Sequence, residues 1–461
     1  MDNATQVVTI GNAFELVFQR VEAYSELSEL AVIDERHFGQ KAAFWSTRFG
    51  QPSVVVCTSA PSGRLLDGIY EDCPQPTFIE PRRVSSSICR DLLADSSTLG
   101  LLLSVLDRDK NVYLAPYVHT SHVERLGAFL MERGYSLVDY RHQAELVKLL
   151  WNKVNAERLV FHPVDLLNKH RPKSIAADSE QELSDAIAWL ALQGVEKIVV
   201  KSAAAVGGAG IFFIDYHNIR QGSSHWDYLV GVGQNEVDRS APFLVEEWVQ
   251  SDFSPTVDLE VTQTGKIEVV GIALQRLYDG RYYTGFYASP VFEGHWWFKA
   301  VENLARVVGY KLADLGYIGP ANVDFVVSLS EHRVTLIEIN PRRSALIDGF
   351  SLRKTKYASQ SNTSISVADY VNISSRSITL SSAFEELSAN EKHCAMVLPV
   401  ADGGFDSRFR WLGILAVGGN SVDSEDILTE AVLKIQDPDL DEIGLTEQNI
   451  RAFKRLSDKV A

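Results

Sequence analysis

Thr335-Leu336-Ile337-Glu338-Ile339-Asn340-Pro341-Arg342-Arg343-Ser344 starts as an apolar, β-branched run, places a carboxylate and an amide inside it, and ends on two arginines. An unpartnered charge in a strand that reads as buried is costly, so a cation, a donor cluster or a metal has to lie close by. The segment just upstream, Ala321-Asn322-Val323-Asp324-Phe325-Val326-Val327, is a second apolar strand with polar residues at alternate positions, and a short connection through residues 329–333 separates the two. Such a pair reads as a β-hairpin. A turn centred on Glu331 sets Asp324 opposite Glu338 and Asn322 opposite Asn340, with all four side chains on one face because strand side chains alternate.

Two carboxylates facing each other repel unless a cation lies between them. An oxygen set of Asp324, Glu338 and Asn340 suits Mg²⁺, which keeps several waters and takes its remaining ligands from phosphates. The hairpin therefore reads as half of a nucleotide-phosphate site. Taken alone, it reads equally as a hairpin with its polar residues on a solvent-facing side.

A chain of 461 residues with 46% hydrophobic content suggests roughly three domains at about 150 residues each, with ample material for cores. The net charge of -16 and the lack of any Lys/Arg run argue against a nucleic-acid backbone or an anionic membrane as partner. No stretch approaches the ~18 consecutive apolar residues of a membrane span, and Met1-Asp2-Asn3-Ala4-Thr5 lacks the pattern of a signal peptide, so a cytoplasmic protein is expected. Cys57, Cys73, Cys89 and Cys394 are scattered without metal-type spacing and read as buried thiols.

The first third alternates apolar strands, at 6–10, 53–58 and 111–114, with helix-length segments, among them one opening at His119-Thr120-Ser121 and ending at Gly134. That order implies an α/β domain with a largely parallel sheet. Ile10-Gly11-Asn12-Ala13 reads as a structural turn or a ligand turn, and His119, His122 and His142 as core or surface residues. Near residue 150 the texture changes: Trp151 to Leu159 opens a helix, and Ser179 to Glu182 forms a capping box ahead of Leu183, Ile187 and Leu190 on one helix face. Then Glu196 to Ile214 reads as strand, small-residue loop, strand, with Lys201 at the end of the first strand and Gly207, Gly208 and Gly210 in the loop. Small residues let backbone N–H groups approach a polyphosphate and a lysine adds point charge, although a plain glycine-rich hairpin has the same pattern. Pro242 to Val249 is an apolar strand ending in Glu246-Glu247-Trp248-Val249, either a core element with an exposed end or a hinge whose backbone reads an adenine edge.

The order Lys153, Lys201, glycine loop, Glu246-Glu247, Asp324, Glu338-x-Asn340-x-Arg342 resembles the ATP-grasp ligases over roughly residues 150 to 345. Leu114-Ala115-Pro116-Tyr117, Asn152-Lys153, Gln275-Arg276 and Gly285-Phe286-Tyr287-Ala288-Ser289-Pro290 make it most similar to the pheganomycin-type peptide ligases with an N-terminal pre-ATP-grasp domain. The resemblance implies an α/β (α+β ATP-grasp) architecture: a pre-ATP-grasp domain at 1–148, a small lid subdomain at 149–250, a large subdomain with the Mg²⁺ site at 251–375, and a C-terminal extension at 376–461 whose runs at 380–387 and 427–435 read as helical packing elements. It also implies roles. Lys153 and Lys201 would hold ATP phosphates under a closing loop of Gly207, Gly208 and Gly210; Glu246 and the backbone of Glu247, Trp248 and Val249 would bind adenine; Asp324, Glu338 and Asn340 would hold two Mg²⁺ ions, or Mn²⁺; Arg342 would face the transferring phosphoryl group or the acceptor carboxylate.

Two departures stand out. The ribose carboxylate of many members, set in a Gly-x-Glu context, is replaced by Ser254-Pro255-Thr256-Val257-Asp258, leaving Asp258 or Glu260 as candidates, and Arg343-Ser344-Ala345 stands where glycine often follows the Asn-Pro-Arg. The implied reaction joins a small-molecule carboxylate to an amine, an amino acid or peptide, through an acyl phosphate with release of ADP and phosphate. Arg276, ahead of the aromatic run Tyr278 to Tyr287, is read either as neutralising that acyl phosphate or as a surface arginine on a twisted hairpin, and Trp296 and Trp297 as packing the helix that follows them. A kinase-like enzyme stopping at phosphorylation and a non-catalytic nucleotide-binding regulator are the alternatives. A homodimer is a family-level expectation.

Overall fold

The structure is a computed structural model that describes residues 5–13, 15–16, 35–48, 53–63, 66, 70, 74–83, 85, 87–203, 210–215, 242–278, 280–356, 363–372, 396–401, 411–419 and 423–435. The chain divides into two compact units: Met1–Glu145 with Thr284–Gly294 and Arg342–Ala461, and Leu146–Tyr283 with His295–Pro341. Among the described residues, no helix is long and apolar enough to cross a membrane.

In the first unit β1 (Thr5–Ile10), β2 (Ser53–Val56), β3 (Thr77–Ile79) and β4 (Asn111–Pro116) form a parallel sheet in the order β3-β2-β1-β4, the arrangement that alternating strands and helices imply. Its apolar side chains meet Leu92, Leu102, Leu126 and Leu130 from the covering helices. The helix Ser121–Glu132 starts where the Thr120 hydroxyl accepts the Val123 N–H, and its chain reverses at Gly134, whose φ of 86° suits a residue without Cβ. The turn after β1 is used for structure. Asn12 Oδ1 accepts the N–H groups of Tyr117 and Val118, its Nδ2 donates to Val118 O, and a Cβ on Gly11 would lie 2.7 Å from Gly39 O. His122 and His119 pair with Glu15 and Glu124. Cys57 and Cys89 are buried free thiols whose pKa values burial pushes up, whereas Cys73 and Cys394 lie outside the described residues.

The second unit holds two sheets. β5 (Ser174–Ala177), β6 (Lys197–Ser202), β7 (Ile211–Asp215) and β8 (Phe243–Glu247) pair antiparallel in the order β5-β8-β6-β7. The helix Glu180–Leu192 is capped by Ser179 and lays Leu183, Ile187 and Leu190 on that sheet. Further on come β9 (Pro255–Val261), β10 (Ile267–Tyr278), β11 (Tyr282–Ala288), β12 (Gly319–Ser328) and β13 (Arg333–Asn340), of which β13, β12, β9 and β10 pair antiparallel in that order. The helix Trp296–Asp314 buries Trp297, Val301, Leu304, Val308 and Leu312, so Trp297 packs the helix it begins, while Trp296 stacks on His332 with ring centroids 3.8 Å apart.

Back in the first unit, Gly285 to Ala288 of β11 pair with β14 (Ser364–Asn372), followed in the sheet by β16 (Trp411–Gly418) and β15 (Met396–Ala401). Gly285 has a φ of 143°, and any Cβ there would stand 2.1 Å from Val367 O, so only glycine fits. The run at 427–435 falls in the helix Ser424–Ile435; the run at 380–387 lies outside the described residues.

This unit also buries a cluster of ionisable groups, each 1% exposed or less. Lys41 Nζ lies 2.7 Å from Asp369 Oδ1 and 3.3 Å from Asp348 Oδ2, and His37 Nε2 lies 3.2 Å from Asp369 Oδ1. Burial pushes the Asp348 carboxyl up to about 6 against the pull of Lys41, whereas at Asp369 burial is outweighed by Lys41 and His37 and the carboxyl is held low. A carboxyl raised from 3.8 to about 6 contributes stability fully present below pH 3.8 and lost as pH rises through 6. We expect the wild type to lose on the order of 2–3 kcal/mol between these limits from this group. In urea denaturation at pH 4 and pH 7, Asp348→Asn should show a correspondingly smaller loss on raising the pH; an unchanged difference would refute the assignment.

Candidate active site

The β12–β13 hairpin brings the polar residues together. Asn322 faces Asn340 and Asp324 faces Glu338 across the pair as expected, although the turn pairs Ser328 with Arg333 and so centres between Ser330 and Glu331 rather than on Glu331. The register shifts between Asp324 and Phe325, because Phe325 faces Leu336 and Ile337 is an extra residue in β13. Leu336, Glu338 and Asn340 share one parity in the sequence, so a regular strand would put all three on one face. The bulge resolves this conflict: Leu336 is buried at 0% exposure, and Glu338 and Asn340 stay on the polar face.

β9 extends that face. Thr256 and Asp258 lie opposite Asp324 and Asn322, and Asn322 Nδ2 donates to Thr256 Oγ1 at 2.6 Å and to Asp258 Oδ1 at 3.0 Å. Asn340 Nδ2 donates to Asn322 Oδ1 at 3.2 Å and to Asp324 Oδ2 at 3.1 Å, and from β10 Gln275 Nε2 donates to Asp324 Oδ1 at 2.8 Å. Arg276, next along β10, is 2% exposed, and strand alternation turns it away from the face that carries Gln275.

Two lysines reach this unit's interior. Lys153 follows Asn152, whose side chain caps the short helix Lys153–Ala156, and its backbone N–H donates to Ala203 O at 2.7 Å. Its Nζ lies 3.2 Å from Glu338 Oε1. Lys201 leaves β6 with Nζ against Glu246 Oε2, and Glu246 Oε1 accepts from Arg171 Nη2 at 2.6 Å. Arg171 also binds Glu157 at 2.6 Å, lies over the Phe161 ring, and donates from Nη1 to the carbonyls of Leu336 and Ile337. β13 is the edge strand of its sheet, and these two carbonyls at its bulge accept from the arginine on the side away from β12. Burial alone would raise the Glu246 pKa; the charges of Lys201 and Arg171 overcome it and hold the carboxyl below its ordinary range.

The structure thus groups Asp324, Glu338, Asn340 and Lys153, and places Lys201 with Glu246 in one charge network with Arg171. The N–H groups of Glu247 and Trp248 donate to Lys173 O and Lys197 O. Gly210 lies at the start of β7 with its carbonyl accepting from Ser202, while Gly207 and Gly208 lie outside the described residues. Arg342 belongs to the first unit, where its guanidinium lies over the Tyr117 ring and donates to Tyr117 Oη at 3.1 Å. Sequence reasoning missed Arg171, which sits in a loop between two basic residues and a proline without any motif, and missed Thr256 and the Gln275 bond to Asp324.

No family model matches this sequence, and no curated protein matches it. Solved structures match its fold. N5-carboxyaminoimidazole synthetase from Staphylococcus aureus, complexed with ADP, aligns at 12% identity over 93% of this chain and 97% of that one, with a TM-score of 0.54. A biotin carboxylase complex with a β-γ-ATP ligand from Campylobacter jejuni aligns at 11% identity over 98% and 95%, with a TM-score of 0.55. An ADP complex of purK, N5-carboxyaminoimidazole ribonucleotide synthetase, aligns at 12% over 99% and 98%, with a TM-score of 0.53. The chain therefore has the ATP-grasp fold, with its N-terminal α/β domain.

Replacing Glu246 by glutamine would leave two buried cations facing a neutral amide. Glu246→Gln should lower the unfolding free energy by about 3 kcal/mol, the scale of a broken buried pair, in urea denaturation at pH 7. A loss below about 1 kcal/mol would show that the three charges do not depend on one another.

Proposed function

We propose that this protein is an ADP-forming carboxylate-amine ligase that makes an amide bond through an acyl phosphate. The observation that carries this reading is the facing pair Asp324 and Glu338 with Asn340 beside them and the Lys153 ammonium 3.2 Å from Glu338, on an ATP-grasp fold. Solved structures of that fold hold ADP or an ATP-type ligand, which supports a nucleotide here.

The donor set suits Mg²⁺. Asp324, Glu338 and Asn340 offer two carboxylates and one amide oxygen, an oxygen-only set that leaves the remaining positions of a magnesium ion to phosphates and water. Asp324, Glu338 and Asn340 would hold the ions, which neutralise charge on the β- and γ-phosphates. Lys153 and Lys201 place point charge near the same phosphates, Lys201 being aimed by Glu246. Because the N–H groups of Glu247 and Trp248 are bonded within the unit, the adenine edge in this reading falls to the backbone beyond Trp248. Arg342, two residues beyond Asn340 in the chain, is our candidate for charge on the transferring phosphoryl group or the acceptor carboxylate.

In the first step a substrate carboxylate oxygen attacks the γ-phosphorus, the bond from phosphorus to the bridging oxygen breaks, and ADP leaves with the electron pair. In the second an amine nitrogen attacks the acyl carbon, loses a proton, and expels inorganic phosphate. Neither step needs a protein nucleophile; positioning and charge neutralisation carry it. The acceptor side is an amino acid or peptide, in keeping with the resemblance to the pheganomycin-type peptide ligases.

The test is ADP release with Mg²⁺-ATP and pools of amino acids and peptides, with mass spectrometry of the products. Acceptor-dependent ADP together with a new amide mass is expected, and Glu338→Gln should lower the rate by about 100-fold or more, since it removes charge on which the transfer depends. Phosphorylated product without amide would replace the ligase by a kinase-like enzyme, and ATP binding without turnover in any pool would replace it by a nucleotide-binding module.

A further inference from the structure

The geometry points to Asp258 as a positioning residue that sets which atom of Asn340 faces a bound cation, acting through Asn322 without touching the ion. The inference rests on the metal reading of the preceding subsection and deepens it.

Asp258, Asn322 and Asn340 stand in one row across three strands, Asn322 being the register partner of both of the others. Asp258 and Asn322 are each 4% exposed, so protein groups rather than bulk water decide how they orient. A carboxylate only accepts hydrogen bonds. Asn322 must therefore turn its Nδ2 toward Asp258, where it lies 3.0 Å from Oδ1, with its second contact at Thr256 Oγ1, 2.6 Å away. An amide with its nitrogen turned one way presents its oxygen the other way, and Asn322 Oδ1 receives Asn340 Nδ2 at 3.2 Å. The same Asn340 nitrogen donates to Asp324 Oδ2 at 3.1 Å. Both N–H directions of Asn340 are thus directed at Asn322 and Asp324, which turns its Oδ1 away from them.

The polarity matters because a hard divalent cation binds an amide through oxygen. Were Asn340 flipped, its oxygen would face both Asn322 Oδ1 and the Asp324 carboxylate, and an NH₂ group would be presented to the cation. Asp324 opposes that arrangement at Asn340 itself, and Asp258 opposes it from behind Asn322 by being unable to donate. A residue that could either donate or accept at position 258 would leave Asp324 alone to hold the polarity of Asn340.

The experiment titrates Mn²⁺ by electron paramagnetic resonance in the presence of a non-hydrolysable ATP analogue, on the full chain. Asp258→Asn keeps size and gains a donor. It should weaken Mn²⁺ binding by about 10-fold or more, the usual scale for a residue that orients a metal ligand, with a thermal midpoint close to wild type. Asp258→Asn combined with Asn322→Asp conserves net charge and restores an acceptor facing Asn340. It should return Mn²⁺ affinity to near wild type, which a merely structural role for Asp258 does not predict. If the single variant does not fold, the double variant decides alone, since retained affinity supports the relay and a 10-fold loss overturns it. Glu338→Gln separates the two layers of the argument. Unchanged Mn²⁺ affinity in Glu338→Gln overturns the metal reading itself, whereas a loss there beside unchanged affinity in Asp258→Asn overturns only the relay.

Discussion

The second unit depends on one buried carboxylate holding two cations. Glu246 is 1% exposed and meets Lys201 on one oxygen and Arg171 on the other. Taking three charges out of water is expensive, and such a group is stable only when geometry and further hydrogen bonds are good. Here they are: Arg171 completes its donors with Glu157 and with two carbonyls of β13. The same guanidinium therefore links the small sheet, through β8, to the bulge that sorts Leu336 from Glu338. Without a donor at that bulge, two carbonyls in a half-buried strand would lose their partners, and the register that sets Asp324 opposite Glu338 would have less to hold it.

On the proposed reading, a polyphosphate has to approach an acidic chain. A net charge of -16 repels a nucleotide at long range, but the Debye length at physiological ionic strength is only about 8 Å, so local charge decides at contact. Lys153 and Lys201 are 8% and 5% exposed, and each ammonium lies against a carboxylate. Glu246 meets Lys201 on one oxygen and Arg171 on the other, so both of its oxygens are directed at cations of the unit itself.

Much of this was legible in the sequence. The facing of Asp324 with Glu338 was expected from period-two alternation and a turn on Glu331, but it is reached through a turn half a residue earlier together with the bulge, whereas the parallel sheet does follow from alternating strands and helices. Other features were closed to it for definite reasons. A bulge leaves no composition signal: Thr335-Leu336-Ile337-Glu338 reads as regular strand, and only the conflict of parity between Leu336 and Glu338 hints that a residue is extra. Arg171 contacts Glu246 and Leu336, 75 and 165 positions away, so no local window contains these two partners. The pair of Lys41 with Asp348 and Asp369 is likewise assembled from three distant segments, each of which alone reads as an ordinary helix or strand.

The polar face of β9, β10, β12 and β13 shows why the unusual Thr256-Val257-Asp258 segment need not serve the ribose. Asp258 is directed along the sheet at Asn322, and Thr256 accepts from the same amide. A carboxylate in that position has a use other than ligand contact, because amides can rotate their donors and acceptors and carboxylates cannot. Gln275, on β10 beyond β9, also fixes Asp324, donating to the oxygen that Asn340 does not use. Phosphoryl transfer relies on groups that are already oriented when charge develops, since reorienting them during the step would add to the barrier. On the proposed reading, fixing the two amides and Asp324 from β9 and β10 suits that requirement, with side chains that need never touch the substrate.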